Sequence, residues 1–336
     1  MTSPTHLKEH TLKIQIRSFT DRDYGPVAEL FRLHDLETIG STNFSEEFLR
    51  SDWDMPNFDP FSDVAVAVGL DDIPVGVVAC YAFRPVPTRP FLWVYAHGEH
   101  RSEAIESLME WGLACSRRVL DRVPEDARVV AESSVHHDLH DVTGALRRAG
   151  FISERMSYTM LIRFDQPTPE PKFPDELRIV NFTELPDVAI WAQTLKSSFA
   201  DHRGASEAPL SYYIERYDKE IAREDFDPSV WWLVLDGDTP AAICASFTES
   251  DEFQNTAYIH QLGTIPAYRR RGIAHALLLH AFKEHRIRGR SGLSLGVDGT
   301  SLTNAVAVYQ RAGMHIAIQW DKYELELRSG IELTRQ

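Results

Sequence analysis

The residues whose types and spacing suggest chemistry lie in T-I-P-A-Y-R-R-R-G-I-A-H, residues 264–275. This stretch follows an apolar run and leads into a segment in which Ile273 and Leu277 share one helical stripe, so a helix is predicted to begin at Gly272. The first backbone N–H groups of a helix have no partner inside it and, with the helix dipole, favour an anion. Because Gly272 and Ala274 have little or no side chain, a pyrophosphate group can approach the backbone closely. The stretch therefore predicts a phosphate-binding loop.

The strand before this loop contains a histidine, His260. The period of two along a strand predicts that its side chain shares one face with Tyr258, Leu262 and Thr264. An imidazole titrates in the pH range in which an ammonium group must lose its proton, so His260 is a candidate general base. A core histidine that is hydrogen-bonded to the backbone is the alternative interpretation.

Two sequence patterns recur along the chain at one constant spacing. I-Q-I-R-S-F-T around Phe19 returns as L-R-I-V-N-F-T around Phe182, and R-R-A-G-F ending at Phe151 returns as Q-R-A-G-M ending at Met314. Matching spacing at both ends of a domain-sized unit indicates a duplicated fold. Each copy reads as strand, helix region, antiparallel strands, strand, helix, strand, helix and strand, which predicts an α+β domain with a mixed sheet.

A proline-rich segment separates the two copies. D-Q-P-T-P-E-P-K-F-P, residues 165–174, has four prolines among polar residues, so it fits neither a central strand nor a helix interior. We interpret it as an extended linker between a domain of residues 1–164 and a domain of residues 175–336.

Composition excludes some classes of partner. The 336 residues include 35 Lys plus Arg against 50 Asp plus Glu, a formal charge of -15, which makes a nucleic-acid backbone a poor partner. The same charge suits a cationic amine, or it serves solubility alone. No apolar run reaches the roughly 20 residues needed to cross a bilayer, and the three cysteines are widely spaced in apolar surroundings. A cytoplasmic protein without a membrane segment, monomeric or homodimeric, is expected.

The loop and a second segment together resemble a known family. R-R-R-G-I-A matches the Q/R-x-x-G-x-G/A acetyl-CoA loop of the GNAT superfamily of N-acetyltransferases. V-D-G-T-S-L-T-N-A-V-A-V-Y-Q-R-A-G-M resembles the superfamily's second acetyl-CoA segment, although Ser301 replaces the usual asparagine and Asn304 the usual glycine. F-A-D-H-R-G and F-D-P-S-V-W resemble segments of tandem GNAT proteins of the mycothiol synthase-like kind. The resemblance implies two tandem GNAT domains, each with a mixed, mostly antiparallel sheet flanked by helices.

The resemblance also implies roles for individual residues. Tyr309 occupies the position whose tyrosine protonates the coenzyme A thiolate, although a packed aromatic on an amphipathic helix is the alternative. His260 matches a catalytic histidine of the arylalkylamine N-acetyltransferases. A slot between the strand Tyr258–Ile265 and its neighbour is expected to hold the pantetheine arm. The residues expected to bind acetyl-CoA, with no metal, are Leu262, Gly263, Thr264, Arg269, Arg270, Arg271, Gly272, Ile273, Ala274, His275, Ser301 and Asn304.

The acceptor is expected to be a primary amine of a small molecule. Its candidate binding residues are Asp201, His202, Glu249, Glu252 and Tyr258. An aminoglycoside-like antibiotic or a thiol-precursor amine is an alternative acceptor, and a non-catalytic tandem binding or scaffold protein is the alternative to an enzyme. The first copy has Arg101-Ser102-Glu103-Ala104-Ile105-Glu106 in place of the phosphate loop, which predicts a degenerate domain because carboxylates repel phosphates.

Overall fold

The computed structural model of the chain describes residues 14–42, 44–55, 57–84, 86–200, 209–223, 226–250, 252–299 and 305–333. The chain divides into two compact units. Unit 1 contains residues up to 40, 44–154 and 322–333, and unit 2 contains residues 41–43 and 155–321.

The elements that begin in unit 1 are β1 (Gln15–Ser18), α1 (Tyr24–Thr38), α2 (Glu46–Asp52), α3 (Pro60–Asp63), β2 (Val64–Val68), β3 (Pro74–Tyr81), β4 (Phe91–Ala96), α4 (Arg101–Arg117), β5 (Val129–His136), α5 (His140–Arg148) and β6 (Ile152–Arg163). The unit is built on a mixed sheet in the order β1-β2-β3-β4-β5, with the end of the last strand of the chain beside β5. All neighbouring pairs from β1 to β4 are antiparallel, and β4 and β5 are parallel. Helix α4 packs against β2, β3 and β4.

The remaining elements are β7 (Leu177–Asn181), α6 (Val188–Ser198), α7 (Leu210–Ile221), β8 (Trp231–Asp236), β9 (Thr239–Phe247), β10 (Thr256–Thr264), α8 (Ile273–Ile287), β11 (Gly292–Asp298), α9 (Ala305–Arg311) and β12 (His315–Arg328). Unit 2 has a second mixed sheet in the order β6-β11-β10-β9-β8-β7. Its β10–β11 pair is parallel, and the other pairs are antiparallel. Helix α6 packs against β9 and β10, and α8 packs against β9, β10 and β11.

Local sequence explains where the elements of unit 2 start and turn. The Asp187 side chain accepts hydrogen bonds from the backbone N–H of Ala189 and Ile190, which caps the start of α6. The β8–β9 hairpin turns at Gly237, whose φ of +58° is readily adopted by glycine. The core of the unit joins apolar residues of β8, β9, β10 and α8 around the fully buried rings of Trp191 and Trp231. This core fixes the strands that form the site.

The compact units differ from the sequence-predicted domain ranges at residues 41–42, which lie in unit 2, and in two longer segments. Residues 155–164, which we assigned to the first domain, lie in unit 2, where β6 pairs with β11 from Ser157 to Arg163. Residues 322–333 lie in unit 1, where Tyr323 is part of the hydrophobic core. The boundary at 165–174 stays a prediction about which segments fold independently. Sequence order alone does not show that a strand of one copy pairs within the other unit, because pairing depends on distant partners.

Candidate active site

The neighbouring strands β10 and β11 separate part of the way along their length. They pair in parallel from Thr256 with Gly292 to Ile259 with Leu295, and among the described residues the pairing stops there. Beyond this point β10 continues beside β9, and β11 continues beside β6. A cavity of ≈ 880 Å³ lies at the separation. This is the slot that the sequence resemblance implied.

The residues that line the cavity come from strands β10 and β11, from helices α6, α8 and α9, from Phe199 after α6 and from the loop before α8. Most of the residues expected to bind acetyl-CoA are among them, and so are both candidate catalytic residues. Arg271, Tyr258, Glu249 and Glu252 are not lining residues, and the predicted residues Asp201, His202, Ser301 and Asn304 lie outside the described part of the chain. The lining consists of Ser198, Phe199, Ile259, His260, Leu262, Gly263, Thr264, Pro266, Tyr268, Arg269, Arg270, Gly272, Ile273, Ala274, His275, Leu295, Gly296, Val297, Asp298, Ala305, Val308, Tyr309 and Arg311.

The loop before α8 ends in an open helix start. Gly272 is the N-cap residue with a φ of +80°, and apart from its neighbours along the chain no described protein atom lies within 4 Å of the place where a Cβ would stand. Within the described chain, no acceptor is hydrogen-bonded to the backbone N–H groups of Ile273, Ala274 or His275. These donors and the helix dipole form a region that favours an anion. The space beside Gly272 leaves room for a phosphate group.

The three arginines of the loop have different surroundings. Arg269 donates hydrogen bonds from Nε to the Thr264 carbonyl and from Nη2 to the Ser198 carbonyl, both at 3.0 Å. Arg270 is exposed and lines the cavity, with a φ of +63°. Arg271 forms an ion pair with Glu176, and its guanidinium lies 5.6 Å from the centre of the Tyr268 ring. Arg269 thus holds the loop in shape, and Arg270 offers its charge to the cavity.

Tyr309 reaches the cavity from α9. Its side chain is 8% exposed. Burial raises the pKa of Tyr309 to about 12, and the nearby Cys244 thiol contributes in the same direction. The phenol therefore keeps its proton at neutral pH and can donate it to a stronger base that forms nearby.

A β-bulge changes the direction of His260. Ile259 pairs with Ser246 and Gln261 pairs with Ala245, so His260 is the extra residue on β10. Bulged residues break the alternation of a strand. Both His260 and Gln261 consequently contact α7: His260 Nε2 lies 3.2 Å from Glu220 Oε2, and the Gln261 side chain accepts a hydrogen bond from the Tyr217 hydroxyl.

The predicted shared face of His260, Leu262 and Thr264 is therefore wrong. Beyond the bulge Gly263 is the residue that faces α6, because a Cβ on it would lie 2.7 Å from that of Ser198. Its neighbours Leu262 and Thr264 then point to the other face. The cavity is nevertheless lined by His260, Leu262 and Thr264, because it opens at the end of β10.

The described residues that we predicted for the acceptor have partners elsewhere in unit 2. Glu249 is exposed and lies 2.9 Å from Arg290. Glu252 Oε1 accepts a hydrogen bond from Thr159 at 3.3 Å. The Tyr258 hydroxyl lies 3.4 Å from the place of a Cβ on Gly296, which is a lining residue. Tyr258 thus lies next to a residue that lines the cavity. The role of Glu249, Glu252 and Tyr258 in binding the acceptor stays a prediction.

Sequence reasoning missed several residues of the site. Ser198, Phe199, Asp298 and Arg311 line the cavity, and Glu220 contacts His260. Glu220 had a sequence signal, because it follows Tyr217 by three residues and shares its helical stripe. The other four depend on how α6, β11 and α9 meet at the cavity, which no local pattern specifies.

Unit 1 has the same strand separation but a different interior. Its parallel strands β4 and β5 pair only at Phe91 with Glu132 and at Leu92 with Ser133 within the described residues. Beyond them Val94 and Val135 are buried in the hydrophobic core. Unit 1 therefore has buried valines beyond its last strand pairs.

The charged residues at the start of α4 also differ from their expected placement. Helix α4 begins at Arg101, so Arg101–Glu106 forms its first turns and not a loop before it. Arg101 pairs with Glu37 at 2.7 Å and with Asp141. Glu106 pairs with Arg148. The comparison of this segment with R-R-R-G-I-A is thus out of register with the helix start, because strand-to-helix turns in the two units differ in length.

Comparisons with known proteins address the fold and the class of chemistry. The model of the acetyltransferase (GNAT) family matches residues 193–314, the segment that holds the cavity. This match supports acyl-CoA-dependent acetyltransferase chemistry for that segment. No curated protein matches the sequence.

Solved structures resemble the chain over nearly its whole length. A GCN5-related N-acetyltransferase from Sphaerobacter thermophilus is 23% identical with a TM-score of 0.80, over 96% of this chain and 98% of its own. A tandem GNAT protein from the clavulanic acid biosynthesis pathway is 13% identical with a TM-score of 0.67, and the match covers 95% of this chain and 100% of that protein. A GNAT-family acetyltransferase from Colwellia psychrerythraea is 11% identical with a TM-score of 0.59, and the match covers 94% of this chain and 100% of that protein. The predicted α+β GNAT fold is confirmed, and the mycothiol synthase-like arrangement stays a prediction. In the described part of the chain, no helix has the length and apolar character needed to span a membrane.

Proposed function

We propose that unit 2 transfers an acetyl group from acetyl-CoA to a primary amine of a small molecule, by direct attack in a ternary complex. The observation that carries this proposal is the cavity at the separated strands, which ends at the uncapped start of α8. A long cofactor with a pyrophosphate at one end and a thioester at the other requires both features in one continuous site.

The residues of the loop fit the phosphate end. The N–H groups of Ile273, Ala274 and His275 would hold the pyrophosphate, and Arg270 would add positive charge beside it. The edge of β10 that faces away from β9 fits the pantetheine arm and the thioester oxygen, because no strand in the described part of the chain pairs with this edge beyond Ile259. Bound acetyl-CoA would supply an activated acetyl group.

Two side chains fit the proton transfers. His260 would take a proton from the ammonium form of the acceptor, which leaves the nitrogen lone pair free to attack. The new C–N bond replaces the C–S bond, and Tyr309 would give its proton to the departing sulfur. The second proton, which the attacking nitrogen loses as the neutral amide forms, would restore the Tyr309 phenol. Both residues line the same cavity. Their arrangement supports acetyl transfer without a covalent enzyme intermediate.

The experiment measures acetyl-CoA binding by calorimetry, followed by release of the coenzyme A thiol with pools of small amines. We expect one binding event and amine-dependent thiol release, and we expect His260→Gln to remove the low-pH limb of the rate profile. A folded chain that binds no acetyl-CoA, or that releases no thiol with any amine class, would contradict the proposal. Persistence of the low-pH limb in His260→Gln would assign the base to another group.

A further inference from the structure

Helix α4 of unit 1 packs along β3 and brings two of the three cysteines of the chain together. A Cβ on Gly112 of α4 would lie 2.9 Å from Val78 Cγ2 of β3. Two residues along a strand and one turn along a helix both cover roughly 5–7 Å, so Cys80 is expected beside the turn that holds Cys115 and Ser116. Cys80 Sγ accordingly lies 3.6 Å from Ser116 Oγ, and the thiol groups of Cys80 and Cys115 are hydrogen-bonded to each other.

A guanidinium group lies on the other side of Cys115. Arg118, which follows the end of α4, donates a hydrogen bond from Nη2 to Cys115 Sγ. Its side chain is 51% exposed and also pairs with Asp63 at 3.3 Å, so the thiol and one carboxylate share this cation. A positive charge and donated hydrogen bonds stabilise a thiolate, which is the reactive form of a cysteine.

The surroundings give the two thiols opposite characters. The hydrogen bond that the Cys80 thiol donates, together with the hydrogen bond and charge of Arg118, brings the pKa of Cys115 below its usual range, although burial acts in the opposite direction. The same contact with Cys115 and burial raise the pKa of Cys80. The third cysteine, Cys244 in unit 2, is fully buried, and burial raises its pKa. Cys115 is therefore the thiolate of the pair, and Cys80 is a neutral thiol beside it.

We propose that Cys115 is a site of oxidation by hydroperoxides and that Cys80 is the second thiol, which closes a disulfide with it. A stabilised thiolate with another thiol next to it is typical of redox-sensing sites. Cys115 is 6% exposed and lies beside the half-exposed Arg118, whereas Cys80 is 1% exposed. Cys115 is thus the sulfur that a small peroxide reaches first. In a reducing compartment such a disulfide is transient, because cellular thiols reduce it again.

The reaction with hydrogen peroxide has two balanced steps. The Cys115 thiolate attacks one peroxide oxygen, an S–O bond forms, the O–O bond breaks, and the hydroxide that leaves takes a proton from solvent to become water. The Cys80 sulfur then attacks the Cys115 sulfur, an S–S bond forms, the S–O bond breaks, and the second hydroxide leaves as water with the Cys80 proton. The two sulfurs lose two electrons and the peroxide gains two. The product links β3 to α4 within unit 1.

The test treats the full-length chain with hydrogen peroxide and maps its disulfides by mass spectrometry without reduction. We expect one cross-linked pair of peptides, which joins Cys80 to Cys115, and complete reversal by dithiothreitol. Cys244 should remain a free thiol and serves as the internal control. A folded chain that forms no such cross-link, or in which Cys244 is oxidised as fast as Cys115, would overturn the proposal. Neither result depends on acetyl transfer, so the proposed function is tested separately.

Two variants test the order of the steps. Cys80→Ser should stop at the sulfenic acid of Cys115, which dimedone traps for mass spectrometry. Arg118→Gln should slow the oxidation of Cys115 roughly tenfold, because loss of the positive charge decreases the thiolate fraction. Arg117→Gln, at an exposed position in the last turn of α4, is the matched control and should react as the wild type. Trapping at Cys80 instead of Cys115 in the wild type, or an unchanged oxidation rate in a folded Arg118→Gln chain, would contradict the assigned roles.

Discussion

Arg269 donates a hydrogen bond from Nη2 to the backbone carbonyl of Ser198, 3.0 Å away at the end of α6. Its Nε also donates to the carbonyl of Thr264, the last residue of β10. One guanidinium thus joins the end of β10, the loop before α8 and the end of α6, whose last residue Ser198 also lines the cavity. The motif predicted this arginine as an acetyl-CoA-binding residue, and that role stays a prediction; in the structure it donates to two backbone carbonyls at the loop.

Loss of this side chain should damage the site. Arg269→Ala removes two hydrogen bonds to backbone carbonyls, each contributing about 1 kcal/mol, and frees the loop before Gly272. We expect acetyl-CoA affinity and turnover each to fall by at least roughly tenfold, measured by calorimetry and thiol release. Equal affinity in a folded variant would show that the loop keeps its shape without this arginine.

Arg101 of unit 1 provides the matched comparison. It pairs with Glu37 and Asp141, and Glu37 also accepts from the Tyr95 hydroxyl at 2.8 Å. Arg101→Ala should lower the stability of unit 1, because it leaves partly buried carboxylates without their counter-charge. Turnover at a temperature where the variant is folded should stay nearly unchanged. A large catalytic loss there would place chemistry in unit 1.

The intact chain should bind one catalytically relevant equivalent of acetyl-CoA. Beyond its last strand pairs unit 1 has the buried residues Val94 and Val135, whereas unit 2 has a cavity of ≈ 880 Å³ at its separated strands. Calorimetric titration of the whole chain measures this number directly. Two productive sites per chain would contradict the assignment of the chemistry to unit 2.

Gly272→Glu should abolish acetyl-CoA binding without unfolding the protein. The new side chain enters open space, so no core contact is lost, but its carboxylate repels phosphate at the helix start. Gly289→Glu is the matched control, because Gly289 lies beyond the other end of α8 with a φ of +77° and equally open surroundings. Both variants carry similar backbone strain, of roughly 1–2 kcal/mol. Only Gly272→Glu should lose affinity, and similar losses in both would indicate a general effect of strain.

Tyr309→Phe should lower turnover and leave acetyl-CoA affinity nearly intact. The hydroxyl is needed mainly when the thiolate departs, so its removal affects the transition state more than the bound cofactor. Calorimetry and steady-state rates across the pH range separate the two effects. If the rates of the two proteins agree at every pH, Tyr309 contributes only packing.

Acid should destabilise unit 2 through His285. This ring is fully buried on α8, with Nε2 2.8 Å from the Ser246 hydroxyl, and burial, with Arg288 and Arg290, lowers its pKa to about 3. The unfolded histidine binds a proton below about pH 6.5, whereas the folded one stays neutral until about pH 3. The contribution of His285 to the free energy of unfolding is therefore fully present above about pH 6.5 and decreases as the pH falls toward 3.

The change can be measured by equilibrium unfolding in guanidinium chloride at pH 7 and pH 5. Between pH 7 and pH 5, the free energy of unfolding of His285→Gln should decrease by about 2 kcal/mol less than that of the wild type. The exposed His315→Gln provides the control and should follow the wild type. An identical pH response of His285→Gln and the wild type would mean that His285 is not kept neutral.

The sequence by itself determined the fold class and the turn at the start of α8. Both depend on short-range information: periodicity fixes each strand and helix, and the recurring patterns around Phe19 and Phe182 revealed the duplication. The predicted start of the helix at Gly272 is confirmed, because Gly272 is the N-cap of α8. A turn of this kind is specified by a few adjacent residues, and glycine is readily accommodated at a φ of +80°.

Only the tertiary structure decided what the neighbouring side chains do. The bulge at His260 turns that ring toward Glu220 because β10 pairs with β9 out of simple register. Arg271 forms an ion pair with Glu176, and Arg269 bonds to backbone carbonyls, although the motif gave both the same role. These outcomes depend on residues that are distant in the chain and meet only after packing. Local sequence specifies the backbone turn, whereas packing specifies the partners.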